Sequence, residues 1–204
     1  MTLTFVLCIL ASTFQTFGNF FKHPLTLIFA LVIMITSFCV IIGSKERRRR
    51  VPENYIWLAL ATLGEAFFLA ATATDLKVAS VISAIMATCI VVGALFVATL
   101  YTASSVDRET LIRNMVKGLI GAFFLNLVML FVMIFLYDPK DKAVVMIISC
   151  IMVVIAGAYI IFALLFIIVP GIEDREDYIL GALRLYLEIA RLFFWLMKIL
   201  GEKK

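Results

Sequence analysis

The stretch that decides the fold is DYILGALRLYLEIARLFFWLMKIL, residues 177–200, in which Arg184, Glu188 and Arg191 interrupt a long apolar run. Spacings of four and then three residues place these charged side chains on one face of a helix. Leucine, isoleucine, phenylalanine and tryptophan side chains occupy the opposite face. Such a helix either lies at a membrane surface or spans the membrane with its charges turned towards a protein interior.

The composition is that of an integral membrane protein. Of the 204 residues, 64% are hydrophobic and 16% are charged, against about 45–50% and about 25% in soluble domains. The net charge is +4, and basic residues stand at the ends of apolar segments, so we interpret them as topology signals. The lipid bilayer is therefore the expected surrounding, and nucleic acid is not expected as a partner.

Seven apolar segments are long enough to cross a bilayer. They are residues 3–21, 25–43, 55–74, 78–101, 118–137, 143–169 and 177–200. Most connections between them are short, which forces neighbouring helices to run antiparallel. The sequence therefore predicts an all-α membrane protein, a seven-helix bundle that forms one membrane domain over residues 1–204 and leaves no soluble domain.

Basic loops predict the orientation of this bundle. The arginine run that follows the second segment and the loop holding Arg108, Arg113 and Lys117 are two crossings apart, so they lie on the same side of the membrane. If all seven segments cross, Lys203 and Lys204 lie on the other side.

The sequence offers no motif for metal binding or catalysis. The four cysteines lie inside apolar runs without close pairing, and His23 has no evident co-ligand. We find no metalloprotease or serine-hydrolase motif and no aspartate pair with intramembrane-protease spacing. We therefore expect no metal, no cofactor and no enzymatic activity.

Charged groups inside the apolar segments form a balanced set. The acids are Glu65 and Glu188, and the bases are Arg184 and Arg191. A lone charge is costly in a bilayer, whereas acids that each face an arginine are tolerated. We predict that Glu188 pairs with Arg184 or Arg191 and that Glu65 approaches the remaining arginine. Glu65 is either a functional carboxylate or a structural glutamate that is protonated or paired.

Four consecutive arginines, Arg47, Arg48, Arg49 and Arg50, follow the second segment. Cationic clusters beside a membrane helix often contact anionic lipids. A plain topology anchor explains the same run.

Two stretches resemble one known family. RRRRVPENYIWLALATLGEAFFLA, residues 47–70, is similar to the start of that family's third helix, with Glu65 at the family's glutamate and Ala66 replacing a glycine. EDYILGALRLYLEIARLFF, residues 176–194, is similar to its last helix. The sequence resembles the Bax-inhibitor/Lifeguard family, the transmembrane Bax-inhibitor-motif proteins, and the likeness extends to the spacing of all seven segments.

The resemblance implies a seven-helix bundle of Bax-inhibitor type, with the C-terminal helix packed centrally. It also implies a pH-sensitive calcium leak in endomembranes and suppression of cell death. The family's gate is associated with two aspartates, one on each of the last two helices. Here Ala163 replaces the first and Glu188 the second, and Arg184 and Arg191 replace asparagines. A lone acid beside arginines is a poor proton switch, and arginines along a path repel calcium.

Two functional hypotheses follow. In the first, the protein is a calcium or ion leak, or an ion-homeostasis and cell-death modulator, with a defective pH-sensing pair. In the second, it is a non-transporting accessory subunit of a larger membrane complex. Both predict a multi-pass protein of an endomembrane or of the mitochondrial inner membrane.

Overall fold

The computed structural model describes residues 1–105, 107–135, 142–168 and 178–204. These residues form helices α1 to α9. Their bounds are α1 Thr2–Thr13, α2 Gln15–Lys22, α3 Pro24–Gly43, α4 Lys45–Arg49, α5 Glu53–Ala73, α6 Val78–Ser105, α7 Arg108–Phe135, α8 Lys142–Ile168 and α9 Tyr178–Leu200.

Four of these helices, α3, α5, α6 and α8, are long and apolar enough to cross a membrane, and a fifth span results if α1 and α2 count as one. The all-α membrane architecture is therefore confirmed, with the bilayer as its surroundings. The predicted number of seven spans is not reached on length and apolarity alone. In α7 the apolar part whose side chains are described without a gap is Lys117–Met129, which is shorter than a full span, and α9 carries its charged residues within the helix.

The first predicted segment, residues 3–21, is not one helix. Phe14 has an extended backbone between α1 and α2, and the two helices are bent by 113°. The hydroxyls of Ser12 and Thr13 both donate to the carbonyl of Ile9, at 2.9 and 2.7 Å. Such bonds compete with the helix ladder, and they fall at the turn where α1 ends. The prediction of a single straight helix was wrong here.

The helix α7 begins ten residues before the predicted segment 118–137. Asp107 precedes it, and its carboxylate accepts hydrogen bonds from the backbone N–H groups of Glu109 and Thr110, at 3.3 and 3.1 Å. This is an N-cap, which satisfies donors that the first helical turn leaves unpaired. A hydrogen bond from the Thr110 side chain, together with these two backbone bonds, holds the pKa of Asp107 below its usual range. The apolar pattern predicted the membrane part of α7 and missed the polar turns before it.

The last helix lies at the centre of the bundle, as predicted. It packs most extensively against α8, then against α6 and α5, and it touches α3 and α4. Its buried residues join separate parts of the core: Phe193 meets Phe5 of α1 edge to face with ring centroids 5.1 Å apart, and Leu183 packs in the cluster around Ile41 and Ala61. The central place of α9 follows from apolar side chains on most of its circumference.

Small residues bring α3 and α5 into close contact. A Cβ atom added at Gly64 would lie 2.9 Å from the backbone oxygen of Ala30 and 3.0 Å from the Cβ of Met34. Ala61 and Ala66, on the same helix as Gly64, are fully buried. Close approach of this kind replaces the hydrophobic driving force that is missing between helices in lipid.

The two ends of α9 are fixed at opposite ends of α5. The side-chain amide of Asn54 donates to the hydroxyl of Tyr178 at 3.0 Å, which joins the starts of α5 and α9. Beyond α9, the chain runs beside the α5–α6 connection. There the backbone N–H of Lys77 donates to the carbonyl of Glu202 at 2.9 Å, and the N–H of Lys204 donates to the carbonyl of Asp75 at 3.0 Å.

Charged side chains complete this second end. Lys77 pairs with Glu202 at 2.8 Å, and Lys22 pairs with Asp75. The backbones of Lys203 and Leu76 form an isolated antiparallel β-bridge. The structure therefore puts Lys203 and Lys204 at the opposite end of α5 from the arginine run, in agreement with the orientation expected from the sequence.

Replacement of Gly64 by alanine should weaken the α3–α5 contact. The added methyl group would press on backbone, and such overpacking costs about 1–3 kcal/mol of stability. Gly93→Ala is the matched control, because a Cβ there meets nothing within 4 Å and alanine favours a helix over glycine by about 0.5–1 kcal/mol. Thermal unfolding in mild detergent should separate the two variants. Equal melting temperatures would contradict the close contact.

Acid should loosen the chain after α9. The hydrogen bond from Lys77 and its charge lower the pKa of Glu202. A folded-state pKa below the unfolded one gives stability at neutral pH that is lost as the pH falls through the lowered pKa. Hydrogen exchange of the Lys204 amide, corrected for its intrinsic rate, should therefore stay constant from about pH 7 to about pH 5 and rise as the pH falls below the ordinary glutamate pKa of about 4.3. In Glu202→Gln the protection should be weaker at neutral pH and should not change over this range.

Candidate functional site

The helix α9 presents two polar faces to different neighbours. Arg184, Glu188 and Arg191 lie on one face, and Tyr186 lies about 200° around the helix from Glu188 at 3.6 residues per turn. The charged face is turned towards α7 and α8, and the Tyr186 face is turned towards α1 and α5. The candidate site is the charged face.

Glu188 and Arg191 form an ion pair within this face. The carboxylate oxygen Oε2 of Glu188 lies 3.8 Å from Nη1 of Arg191, and the two side chains are 23% and 27% exposed. Of the two arginines that the sequence offered to Glu188, the structure thus places Arg191 beside it. A separation of three residues on a helix brings the groups together.

Neighbouring helices hold the Arg191 guanidinium. Its Nη2 donates to Oδ1 of Asn126 on α7. Its central carbon lies 5.7 Å from the ring centroid of Tyr159 on α8, within the range of a cation–π contact. Asn126 and Tyr159 were not among the residues expected from the sequence. The signal for Asn126 was a polar amide inside an apolar segment.

The Glu188 carboxylate is less completely satisfied than the arginine. Its Oε2 atom is buried and has no hydrogen-bond partner among the described residues, since 3.8 Å is an ionic contact and too long for a hydrogen bond. The guanidinium hydrogen bond goes instead to Asn126. The pair is therefore held by charge attraction rather than by the bidentate geometry of a strong arginine–carboxylate contact.

Arg184 occupies the same face one turn earlier. Its side chain is exposed, and its guanidinium carbon lies 5.7 Å from the ring centroid of Phe166 on α8. Two of the three charged residues on this face of α9 are thus packed against aromatic rings of α8. Cations over ring faces gain an attraction that survives in a low-dielectric surrounding.

Ala163, the position expected to have lost a gate aspartate, is buried in α8 with 7% of its surface exposed. It belongs to the helix against which α9 packs most extensively. The sequence of α8, KAVVMIISCIMVVIAGAYIIFALLFII, contains no acidic residue. No carboxylate of α8 therefore faces Glu188.

Glu65 lies on the other side of α9. It is half-buried on α5, three residues after Thr62 and therefore on the same side of that helix. The Tyr186 hydroxyl donates to the carbonyl of Thr62 at 3.0 Å and lies 3.0 Å from Oγ1 of Thr4. Glu65 thus belongs to a polar group between α1, α5 and α9.

The prediction that Glu65 approaches an arginine of α9 was wrong. Among the described residues, no ion pair joins Glu65 to Arg184 or Arg191. The reason is geometric: Tyr186 meets α5, and the charged face is turned almost the opposite way. The body of α9 separates the two acids.

The arginine run lies at the start of α5. Arg47 and Arg50 are exposed and line a cavity of about 390 Å³ together with Glu53, Ile56 and Trp57. Arg49 belongs to α4 and makes contacts of its own, and the side chain of Arg48 lies outside the described residues.

Within the described ranges, no three His, Cys, Asp or Glu side chains come together as a metal site.

Comparison with known proteins assigns the family. The family model described as "Inhibitor of apoptosis-promoting Bax1" matches residues 1–204. The chain belongs to the Bax-inhibitor family. It is 28% identical to Protein LIFEGUARD 3 of Arabidopsis thaliana over 87% of this chain and 73% of that protein. It is also 28% identical to Protein LIFEGUARD 4 of the same plant, over 88% of this chain and 73% of that protein.

A third relative gives the same result. Protein LIFEGUARD 2 of Arabidopsis thaliana is 29% identical over 83% of this chain and 68% of that protein. No solved structure matches the chain. Membership in the Bax-inhibitor family makes this a multi-pass integral membrane protein of a cell-death-modulating family, as the likeness of the last helix indicated.

Mutation of the Glu188–Arg191 pair should show energetic coupling. Either Glu188→Gln or Arg191→Gln leaves one charge without its partner, which should cost about 1–3 kcal/mol, below the ~3–5 kcal/mol of a fully buried pair because both side chains are partly exposed. The double variant has no unpaired charge and should be more stable than the sum of the single effects predicts. Thermal unfolding in detergent measures this double-mutant cycle.

The matched control is a second cycle with Arg184. Glu188→Gln combined with Arg184→Gln should show clearly weaker coupling, because Arg184 is exposed and lies over Phe166. Strictly additive effects in the Glu188–Arg191 cycle, or a stronger coupling to Arg184, would contradict the pairing.

Proposed function

We propose that this Bax-inhibitor protein modulates ion homeostasis and cell death with a fixed central ion pair in place of a proton-operated carboxylate pair. The observation that carries this proposal is the surrounding of Glu188. Its carboxylate lies 3.8 Å from Arg191, and α8 supplies buried Ala163 and no acid.

The chemistry of the two arrangements differs. Two carboxylates that share a site share a proton at intermediate pH, and the gain or loss of that proton changes the force between their helices. An acid that faces an arginine has its counter-charge supplied by the protein. The attraction between Glu188 and Arg191 therefore needs no proton, and a change of pH around neutrality gives it no switch.

The arginines of the charged face also oppose the passage of cations. Arg184 and Arg191 project from the charged face of the central helix, and fixed positive charge along a path raises the barrier for calcium. Any calcium leak through this protein should therefore be small and insensitive to pH. We propose no enzymatic role, since catalysis would need acid–base groups that the charged face does not offer.

The substitution at Ala163 also suits the second hypothesis, a non-transporting accessory subunit of a larger complex in an endomembrane or the mitochondrial inner membrane. The two hypotheses differ in what the isolated protein does. An ion-homeostasis modulator changes the permeability of a liposome by itself, whereas an accessory subunit does so only with its partners and copurifies with them in fixed stoichiometry.

Calcium-dye liposomes that contain the purified protein test the proposal. We expect the wild-type protein to give a small calcium flux that stays flat between about pH 6 and about pH 8, because no carboxylate pair titrates there. In the double variant Ala163→Asp with Arg191→Asn, two carboxylates face each other without the arginine. Its flux should be larger and should change with pH over this range.

The control replaces Ala163 by asparagine in the same Arg191→Asn background. Asparagine matches aspartate in size and polarity but does not titrate, so its flux should stay flat with pH. A steep pH dependence in the wild-type protein would overturn the proposal. Absence of flux from every variant, together with stoichiometric copurification of other membrane proteins, would favour the accessory-subunit hypothesis.

A further inference from the structure

The cavity at the start of α5 has two chemically different sides. It measures about 390 Å³ and is lined by Arg47, Arg50, Glu53, Ile56 and Trp57. Arg47 belongs to α4, and Arg50 is the residue that follows α4. Ile56 and Trp57 lie on the first turn of the apolar helix α5.

The two arginines of the cavity differ in their ion pairs. Arg50 lies between two carboxylates, 3.9 Å from Glu46 and 3.7 Å from Glu53. The guanidinium of Arg47 makes no ion pair or hydrogen bond with the part of the chain that the structure describes. The backbone N–H of the same residue donates to Oγ of Ser44, at 3.4 Å. Arg47 therefore offers the cavity a charged fork whose donors are available for an anion.

Charge over the whole segment favours an anion. Residues 45–53 contain five cations and two carboxylates. Cationic clusters next to a membrane helix attract anionic lipids electrostatically. A plain topology anchor needs the positive charge and has no need of a cavity.

The apolar side of the cavity favours a lipid over a soluble anion. Ile56 is 54% exposed and so presents apolar surface. Trp57 is half-buried and is the fifth residue of α5, and tryptophan is enriched near the ends of membrane helices, where headgroups meet acyl chains. A phosphate among the arginines with acyl carbons on Ile56 and Trp57 matches both sides at once.

We propose that this cavity binds one anionic phospholipid, with its phosphate held by Arg47 and Arg50 and the first part of an acyl chain against Ile56 and Trp57. The site is independent of the proposed function, because it lies at the membrane surface and involves none of the charged residues of α9. Glu53 opposes binding, since its carboxylate attracts Arg50 and repels the phosphate. Its removal should therefore strengthen the site.

Tryptophan fluorescence can report the occupant directly. The chain has two tryptophans, and Trp195→Phe leaves Trp57 as the reporter. The protein is placed in phosphatidylcholine nanodiscs that contain a small fraction of phosphatidylglycerol brominated near the top of its acyl chains, or the same fraction of equally brominated phosphatidylcholine. Bromine quenches only a tryptophan that it contacts.

We expect brominated phosphatidylglycerol to reach half-maximal quenching at a mole fraction about five- to tenfold lower than brominated phosphatidylcholine does, because its headgroup carries a net negative charge that the two arginines attract, whereas choline neutralises the phosphate of phosphatidylcholine. Arg47→Gln with Arg50→Gln should abolish this preference. The matched control, Arg113→Gln with Lys117→Gln, removes two exposed cations from α7 and should leave it unchanged. Glu53→Gln should increase it.

The increase with Glu53→Gln keeps the test decisive if the double arginine variant folds poorly. Equal quenching by the two brominated lipids would overturn the proposal, as would an equal loss of preference in the Arg113 and Lys117 control. Millimolar inorganic phosphate is added as a competitor. Release of quenching by inorganic phosphate would assign the arginines to a soluble anion and overturn the assignment to a lipid.

Discussion

The attraction between Glu188 and Arg191 is the constraint around which the bundle is arranged. Neither charge is stable against lipid, so α9 has to be enclosed by other helices, and α5, α6 and α8 enclose it. The pair alone does not satisfy the guanidinium. Asn126 of α7 accepts its hydrogen bond and Tyr159 of α8 lies beneath it. One arginine thus connects α7, α8 and α9, three helices whose remaining contacts are largely apolar.

The polar groups of the bundle are divided by the central helix. On the side of α8 lie the charges of α9, and on the side of α5 lie Tyr186, Thr4 and Glu65. Because about 200° of helix separates Tyr186 from Glu188, the two groups share no hydrogen bond among the described residues. Glu188 consequently has a guanidinium partner, whereas Glu65 lies on the other side of α9, near the Tyr186 group. The balance of charges within the apolar segments does not predict this division.

Hydropathy and spacing were sufficient for the coarse features. Apolar length predicted an all-α membrane protein, although not the number of spans, and the positions of Arg184, Glu188 and Arg191 predicted one charged face on a central helix. The choice of Arg191 over Arg184 depends on Asn126 and Tyr159, which come from other helices, so no pattern within α9 determines it. The break at Phe14 and the early start of α7 follow from single hydroxyl and carboxylate bonds to the backbone. These side-chain groups compete for or complete backbone hydrogen bonds at helix ends. Hydropathy averaged over about twenty residues does not detect such local bonds.

The ends of α9 bear on whether its centre is able to switch. Asn54 holds the Tyr178 end, and the backbone bonds of Lys77 and Lys204 hold the other. A switch that separates the central helix from α8 would have to break these end contacts or bend α9 between them. With Arg191 also joined to Asn126, the helix is fixed at both ends and in its middle. A scaffold anchored in this way fits a permanent ion pair better than a pair that opens and closes with protons, whatever residue occupies position 163.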